Sequence, residues 1–89
     1  MKTWHLKVAL AAERVLNRLN DRAAAAIVEF LVAPLLDSPA LVGKSLEREL
    51  EGYKSARRGP YRIIYRIDSE NHTVRVVRIE HRADVYRPR

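Results

Sequence analysis

The chain has 89 residues, 47% of them hydrophobic, 31% charged and none of them cysteine, which predicts one small domain over residues 1–89 and excludes a disordered basic tail, disulfides and thiolate metal sites. The net charge of +6 arises in the last third, because residues 52–89 contain ten Lys and Arg against four Asp and Glu, whereas residues 1–51 contain seven of each sign. Since folding does not require such a bias, it predicts a polyanionic partner, with nucleic acid as the first choice.

The N-terminal segment alternates apolar and polar residues, which predicts a first strand with one buried face. Its apolar positions are Trp4, Leu6, Val8 and Leu10. This alternation differs from the continuous hydrophobic block of a signal peptide. No apolar run in the chain approaches the roughly 20 residues that span a bilayer. We therefore expect a cytoplasmic protein without a membrane partner.

Two helices are predicted next. The apolar residues of the first recur at helical spacing: Ala12, Val15, Leu16 and Leu19. The first helix should stop near Asn20, and Asn20 or Asp21 can cap the second. The core-facing stripe of the second helix is predicted to be Ala23, Ile27, Phe30 and Leu31. Pro34 predicts that the regular helix ends or kinks near residues 32–33, and residues 37–46 are expected to form a loop.

From Leu50 onward the pattern is β. The first run ends at Arg57 or Arg58, and the turn signal Gly59-Pro60 follows it. The remaining boundaries are a middle run over residues 61–68, a turn over 68–72 and a last run over 73–80. The predicted fold is a small α+β domain of order β-α-α-β-β-β. Its antiparallel sheet carries the two N-terminal helices on one face, leaves the other face open and is followed by a short C-terminal tail or helix.

Three segments of the C-terminal half carry a family pattern: Gly52-Tyr53-Lys54, Gly59-Pro-Tyr61-Arg62-Ile-Ile-Tyr65 and His81-Arg82-Ala-Asp-Val85-Tyr86. Together with the element order, they resemble the toxins of the RelE/ParE superfamily, and among these the RelE branch. The resemblance implies an endoribonuclease that enters the ribosomal A site and cleaves messenger RNA there. It also implies a RelB-like antitoxin as partner, contact with operator DNA only through the antitoxin complex, and no metal or other cofactor.

The resemblance implies site residues of two kinds. The catalytic candidates are Lys54, Arg62, Arg82 and Tyr86, and the RNA-binding candidates are Arg57, Arg58 and His81. The implied reaction is attack of a ribose 2′-hydroxyl on the adjacent phosphate. It needs a base near the 2′-oxygen, positive charge on the phosphorane and a proton for the leaving 5′-oxygen.

Several of these residues have two possible roles. Arg62 can donate two parallel hydrogen bonds to a phosphate, or it can be a solvated strand arginine paired with Glu80. Lys54 can act as a base if its surroundings lower its pKa, or it can contact a phosphate without any proton role. Ala56 stands where the RelE pattern often has a second lysine, which leaves Arg57 or Arg58 to supply that charge.

The C-terminal candidates also have alternatives. Tyr86 can handle the 2′-hydroxyl proton, stack on a base or anchor the tail on the sheet edge. Arg82 can be a solvated arginine, and for His81 a structural or substrate-binding role is favoured over proton transfer. His5 and His72 have no visible partner in the sequence, and the three scattered histidines predict no metal site.

The register of the hairpin at Gly59-Pro60 determines which residue faces Arg62. A two-residue loop places Arg57 opposite Arg62, and a three-residue loop places Ala56 there. Side-chain parity favours the longer loop, because it leaves the apolar positions of the next strand for the helix-covered side. On one face this arrangement would group Lys54, Arg58 and Arg62.

Two other functions compete with the nuclease. A ParE-like toxin uses the same scaffold to bind and inhibit DNA gyrase without cleaving RNA, and a degenerate toxin would survive only as an antitoxin-binding or DNA-binding partner. The presence of most of the Lys, Arg and Tyr set favours the nuclease.

Overall fold

The computed structural model describes residues 4–82. Its strands are β1 (His5–Val8), β2 (Lys44–Ser45), β3 (Lys54–Arg58), β4 (Tyr61–Asp68) and β5 (Thr73–His81). Its helices are α1 (Leu10–Arg18), α2 (Asp21–Phe30) and α3 (Pro39–Val42), with a π-helical turn at Leu31–Leu35 and a 3-10 turn at Arg48–Leu50. The predicted α+β fold is confirmed.

The five strands form one sheet in the order β1-β5-β4-β3-β2. The pairs β2–β3, β3–β4 and β4–β5 are antiparallel, as predicted for the meander. Strand β1 instead runs parallel to β5, so the prediction of a wholly antiparallel sheet is wrong in this respect. The helices that follow β1 carry the chain across the sheet, and the meander then returns to β1 with β5. A crossover of this kind allows β5 to run parallel to β1.

Strand β1 is shorter than its alternating pattern predicts. The backbone N–H of Ala9 still donates to the carbonyl of Val76 at 2.8 Å, but Leu10 already begins α1 and is 58% exposed. The apolar side chain of Leu10 therefore does not belong to the buried face of the strand.

The second helix begins and ends for the predicted reasons. The side-chain oxygen of Asn20 accepts a hydrogen bond from the backbone N–H of Ala23 at 2.8 Å, which satisfies one of the free donors of the first turn. The α-helical pattern ends at Phe30, and the π-helical turn that follows contains Pro34. Because proline has no N–H to donate, the regular pattern does not continue through it. Within residues 4–82, no helix is long and apolar enough to cross a bilayer.

Residues 37–46 are not the plain loop that the sequence predicts. Pro39 begins the single turn of α3, a position where the missing N–H costs nothing. Strand β2 then pairs with β3, with Lys44 opposite Ser55 and Ser45 opposite Lys54. A two-residue strand has no periodicity to detect, and it exists here because β3 supplies its hydrogen-bonding partner.

The core lies between the helices and one face of the sheet. Its buried members are Ala12, Ile27, Leu31, Leu35, Ala56, Ile63, Tyr65, Val74, Val76 and Ile79. The helical stripe predicted from sequence contributes Ile27 and Leu31, and Phe30 packs against the cluster while partly exposed. Removal of this apolar surface from water is the main favourable contribution to folding.

Tyr65 is the largest fully buried side chain of the described residues. Its hydroxyl donates to the backbone carbonyl of Pro39 at 2.6 Å, and burial raises the pKa of Tyr65 to about 12. Gly43 lies against the same ring: a Cβ there would contact the hydroxyl and come within 2.9 Å of the ring carbon Cε1. Tyr65 therefore ties α3 and its following residues to the sheet.

Candidate nucleic-acid interface

The β3–β4 hairpin has a two-residue loop, which decides the faces of the candidate residues. Arg58 pairs with Tyr61 and Arg57 pairs with Arg62. Of the two registers that the sequence left open, the structure has the two-residue loop and not the longer one that side-chain parity favours, and the reason is turn chemistry. Gly59 has φ +60°, the conformation that a type II′ turn requires at its first central position, and Pro60 suits the second position because its φ is locked at a negative value.

Residues opposite each other on neighbouring strands share a face of the sheet, so the pairing shows what lies on the face away from the helices, here called the open face. Its cationic residues on the paired strands are Lys7, Lys44, Arg57, Arg62, Arg66, Arg75 and Arg78. Its carboxylates on the same strands are Asp68 and Glu80. The cationic bias of the last third thus collects on this face, where a polyanion would find an excess of positive charge.

Three charged residues form a row across β3, β4 and β5, here called the arginine row: Arg57, Arg62 and Glu80. The guanidinium of Arg62 donates to Glu80 at 3.0 Å, and Arg78 donates to the other oxygen of the same carboxylate at 3.2 Å. The alternative considered for Arg62, pairing with Glu80, is therefore present.

This ion pair does not use up the guanidinium of Arg62. The side chain is 35% exposed, and its Nε is buried without a hydrogen-bond partner among the described residues. Arginine has five N–H donors in a planar fork, and Glu80 engages one terminal nitrogen. Glu80 consequently holds the guanidinium in place while Arg57 adds a second positive charge on the same face, an arrangement suited to a phosphate group.

Arg82 lies at the hairpin end of the sheet. The backbone N–H of Arg82 donates to the carbonyl of Pro60 at 2.8 Å. Arg82 therefore lies beside the turn that joins the strand of Arg57 to the strand of Arg62. Tyr86 falls outside the described residues, so its catalytic role stays a prediction.

Lys54 lies on the other side of the sheet from Arg62. It pairs with Tyr65, three residues along β4 from Arg62, or about 10 Å at the usual rise per strand residue. Its half-buried side chain donates to the hydroxyl of Ser45 at 3.2 Å. The predicted grouping of Lys54 with Arg62 on one face is wrong, because the shorter loop shifts the strand by one residue and reverses its faces.

Arg58 and His81 also lie on the helix-covered side, at the hairpin end. Both residues pair with Tyr61, and the rings of Tyr61 and His81 meet edge to face with centroids 5.1 Å apart. Arg58 is exposed and lines a groove of about 310 Å³ together with residues of α2 such as Ala23 and Ile27. Of the four predicted strand cations, only Arg57 and Arg62 therefore share the open face.

The sequence missed one pairing at the other end of the sheet. The rings of Trp4 and His72 stack with centroids 4.0 Å apart and planes 15° from parallel. The sequence showed no partner for His72, and the structure supplies Trp4 as one. The contact joins residues 68 positions apart, and neither residue lies in a motif that could have revealed it. Within residues 4–82, no three His, Cys, Asp or Glu side chains are grouped so that they could hold a metal ion.

Comparison with known proteins agrees with this geometry. The model of the family described as ParE toxin of type II toxin-antitoxin system, parDE, matches residues 6–86. The toxin RelG of Mycobacterium tuberculosis is 50% identical, with 94% of this chain and 97% of RelG covered. The toxin RelE of the same organism is 45% identical, with 94% of this chain and 87% of RelE covered.

Solved structures share the fold. The toxin-antitoxin complex RelBE2 of Mycobacterium tuberculosis contains a chain that superposes with a TM-score of 0.87 at 48% identity, with 94% of this chain and 97% of that chain covered. The isolated toxin RelE of Escherichia coli has a TM-score of 0.74 at 20% identity, with 93% of this chain and 90% of that chain covered, a likeness of fold alone. The predicted resemblance is confirmed, and the chain belongs to the ParE toxin family of type II toxin-antitoxin systems as a toxin of the RelE type.

Proposed function

We propose that this chain is a ribosome-dependent messenger RNA endoribonuclease that cleaves in the ribosomal A site and thereby inhibits translation in the cytoplasm. The observation that carries the proposal is the arginine row on the open face, where Arg62 is held by Glu80 and flanked by Arg57. Identities of 50% and 45% to toxins RelG and RelE support it.

In the proposed reaction the ribose 2′-oxygen attacks the adjacent phosphorus and the bond from phosphorus to the 5′-oxygen breaks. The products are a 2′,3′-cyclic phosphate and a 5′-hydroxyl, because one proton leaves the 2′-hydroxyl and one is taken up by the 5′-oxygen. The guanidinium of Arg62 stabilises the negative charge that grows on the phosphorane, because its unused N–H groups can donate to two phosphate oxygens. Arg57 adds charge from the neighbouring strand, and Arg82 contacts the RNA near the hairpin turn. In this scheme the phosphate is stabilised by guanidinium groups, and we propose that no metal ion takes part.

The proton of the 2′-hydroxyl needs an acceptor, and Lys54 and Tyr86 are the proposed candidates. Lys54 stands on the opposite face and bonds Ser45, so it would reach the RNA only around the β2 edge of the sheet. Tyr86 is favoured for this reason. Arg58 and His81, both near Tyr61, are proposed to contact RNA that wraps over the hairpin end.

The proposal is tested with translating ribosomes and primer extension of the message. The wild-type protein should produce cuts in register with the codons, and Arg62→Ala should lower the cleavage rate by at least about a hundredfold, as loss of one charge-stabilising donor does in other enzymes. Arg14→Ala removes an exposed cation from α1 and is the matched control. Intact message with the wild-type protein, or full cleavage by Arg62→Ala, would refute the assignment.

We also propose that a RelB-like antitoxin neutralises the toxin and that operator DNA is contacted only through that complex. The RelBE2 structure of Mycobacterium tuberculosis is a toxin-antitoxin complex, and an acidic, amphipathic segment would complement the net charge of +6. Purification from the native operon should recover a small acidic partner, and its absence would count against this part.

Inhibition of DNA gyrase is the second candidate function, because the family model that matches residues 6–86 is described as the ParE toxin. A gyrase supercoiling assay separates the two. Unchanged supercoiling together with cut message supports the nuclease, and inhibited supercoiling with intact message supports the gyrase inhibitor.

A further inference from the structure

We propose that the open face carries a second RNA-binding subsite, a row of four residues here called the distal row: Tyr53, Arg66, Arg75 and Lys7. The subsite would hold the phosphate backbone of single-stranded RNA whose cleaved phosphate lies at the arginine row. The inference rests on the proposed function, which it extends by giving the RNA a second point of attachment.

The strand pairing aligns the distal row. Arg66 of β4 pairs with Arg75 of β5, and Arg75 pairs with Lys7 of β1. The guanidinium of Arg66 lies over the ring of Tyr53, 5.9 Å from its centre. All three cations are exposed and Tyr53 is half-buried. The row therefore crosses β1, β5 and β4 and ends at the residue that precedes β3.

The cations of the distal row differ from those near Glu80. Arg62 and Arg78 share the carboxylate of Glu80, whereas no ion pair joins Arg66, Arg75 or Lys7 to a carboxylate within residues 4–82. Three neighbouring like charges repel one another, which disfavours the folded protein unless a ligand or counterion offsets it. An anionic ligand would remove this repulsion.

A groove of about 540 Å³ is lined by Arg66 and Arg75 and by residues at the β4–β5 turn, among them the acidic residues Asp68 and Glu70. Asp68 faces the turn, because its two oxygens accept from the side chain of Asn71 at 2.8 Å and from its backbone N–H at 3.2 Å. These hydrogen bonds, with a smaller effect of the charge of Arg75, hold the pKa of Asp68 below its usual value. The carboxylate of Asp68 is thus engaged by Asn71, and within residues 4–82 it forms no ion pair with Arg66 or Arg75.

Tyr53 gives the distal row a surface for a base. Its ring already stands beside a guanidinium, and an aromatic face next to a cation can stack on an unpaired base while the cation contacts the adjoining phosphate. Single-stranded RNA offers both groups, which a duplex with its bases stacked inside does not.

The two rows are spaced for one strand of RNA. Arg62 and Arg66 are four residues apart on β4, which corresponds to about 13 Å along the strand. Stacked nucleotides advance about 3.4 Å each along the helix axis, so this spacing corresponds to about four nucleotides. An RNA of that length or shorter can occupy one row, and a longer one can occupy both.

The test measures binding of 2′-O-methyl RNA, which lacks the attacking hydroxyl and cannot be cleaved in the proposed way. Fluorescence anisotropy with oligonucleotides of about four and about twelve nucleotides is repeated over a range of salt concentrations. The double variant Arg66→Ala/Arg75→Ala is compared with a helix variant, Arg14→Ala/Arg48→Ala, which removes two exposed cations from α1 and from the 3-10 helical turn. Arg66→Lys/Arg75→Lys restores the charge without the guanidinium fork, and thermal melting checks that each variant is folded.

For the wild-type protein, the slope of log K against log salt should be steeper for the long RNA, by about 1.4 for the two phosphate contacts assigned to Arg66 and Arg75 on a single strand. Arg66→Ala/Arg75→Ala should lose this difference and bind the long RNA at least about tenfold more weakly. The lysine variant should recover most of the slope, and the helix variant should resemble the wild type. Equal slopes for both RNA lengths, or a double variant that behaves like the helix variant, would overturn the inference.

Failure of the proposed function would look different. If ribosomal cleavage is absent while the distal row still gives the length-dependent slope, the nuclease assignment fails and the subsite remains. If cleavage occurs but the slope is independent of Arg66 and Arg75, the subsite fails alone. If Arg66→Ala/Arg75→Ala binds an acidic peptide more weakly than the wild type but binds RNA equally well, the distal row binds a protein partner instead. That result would also overturn the inference.

Discussion

Replacing Tyr65 by phenylalanine tests how the segment around α3 is held to the sheet. The hydroxyl of Tyr65 is buried and donates to the carbonyl of Pro39 at 2.6 Å. Phenylalanine keeps the ring and its packing but leaves that buried carbonyl without its partner. We expect the free energy of unfolding near neutral pH to fall by about 1–3 kcal/mol, the usual cost of an unsatisfied buried polar group.

The same substitution changes the dependence of stability on pH. The pKa of Tyr65 is raised from 10.0 to about 12 because burial disfavours the charged phenolate. A group whose pKa is raised on folding contributes stability that is complete below its unfolded pKa and is lost as the pH rises towards its folded pKa. Between pH 9 and pH 11 the wild-type protein should lose about 1.4 kcal/mol through this residue, and Tyr65→Phe should not.

Urea denaturation of both proteins at several pH values between 7 and 11 measures the difference directly. The other tyrosines and the lysines titrate in both proteins, so their contribution cancels in the comparison. The gap in unfolding free energy between wild type and Tyr65→Phe should narrow above pH 10. A constant gap across this range would show that the hydroxyl is hydrated in the folded protein and would refute the argument.

Three further predictions concern packing, capping and the open face. Gly43→Ala should lower the unfolding free energy by about 1–3 kcal/mol through overpacking against Tyr65, and unchanged urea denaturation would contradict the close contact. Asn20→Ala should cost about 1 kcal/mol, measured as a lower melting temperature, while full retention of stability would show that water replaces the cap. Arg57→Ala should weaken binding of uncleavable RNA more than Arg58→Ala, since only Arg57 lies on the open face. The reverse order in an anisotropy titration would contradict this placement.

Several features were predictable because their causes are local. The alternation over residues 61–68 identified β4, and Asn20 was recognised as a cap because a short polar side chain can reach the free N–H groups of a first helical turn. Pro34 marked the end of regular α2, since it lacks an N–H wherever it stands. The family motifs, which are stretches of consecutive residues, identified the class of toxin before any fold was known.

The register of the β3–β4 hairpin was also within reach of the sequence. Glycine followed by proline suits a two-residue type II′ turn, which gives the register opposite to the one that groups Lys54 with Arg62. The observed φ of +60° at Gly59 agrees with such a turn.

The sequence alone determined the two N-terminal helices, the three strands of the meander, the family and the concentration of positive charge in the last third. Only the tertiary structure decided which charges meet: Arg57 beside Arg62, Glu80 between Arg62 and Arg78, and Arg66 beside Arg75 and Lys7. It likewise decided the parallel pairing of β1 with β5 and the stacking of Trp4 on His72. The physical reason is that periodicity and turn chemistry act over a few neighbouring residues, whereas strand pairing joins residues far apart in the chain, and its register determines the face on which each charge lies.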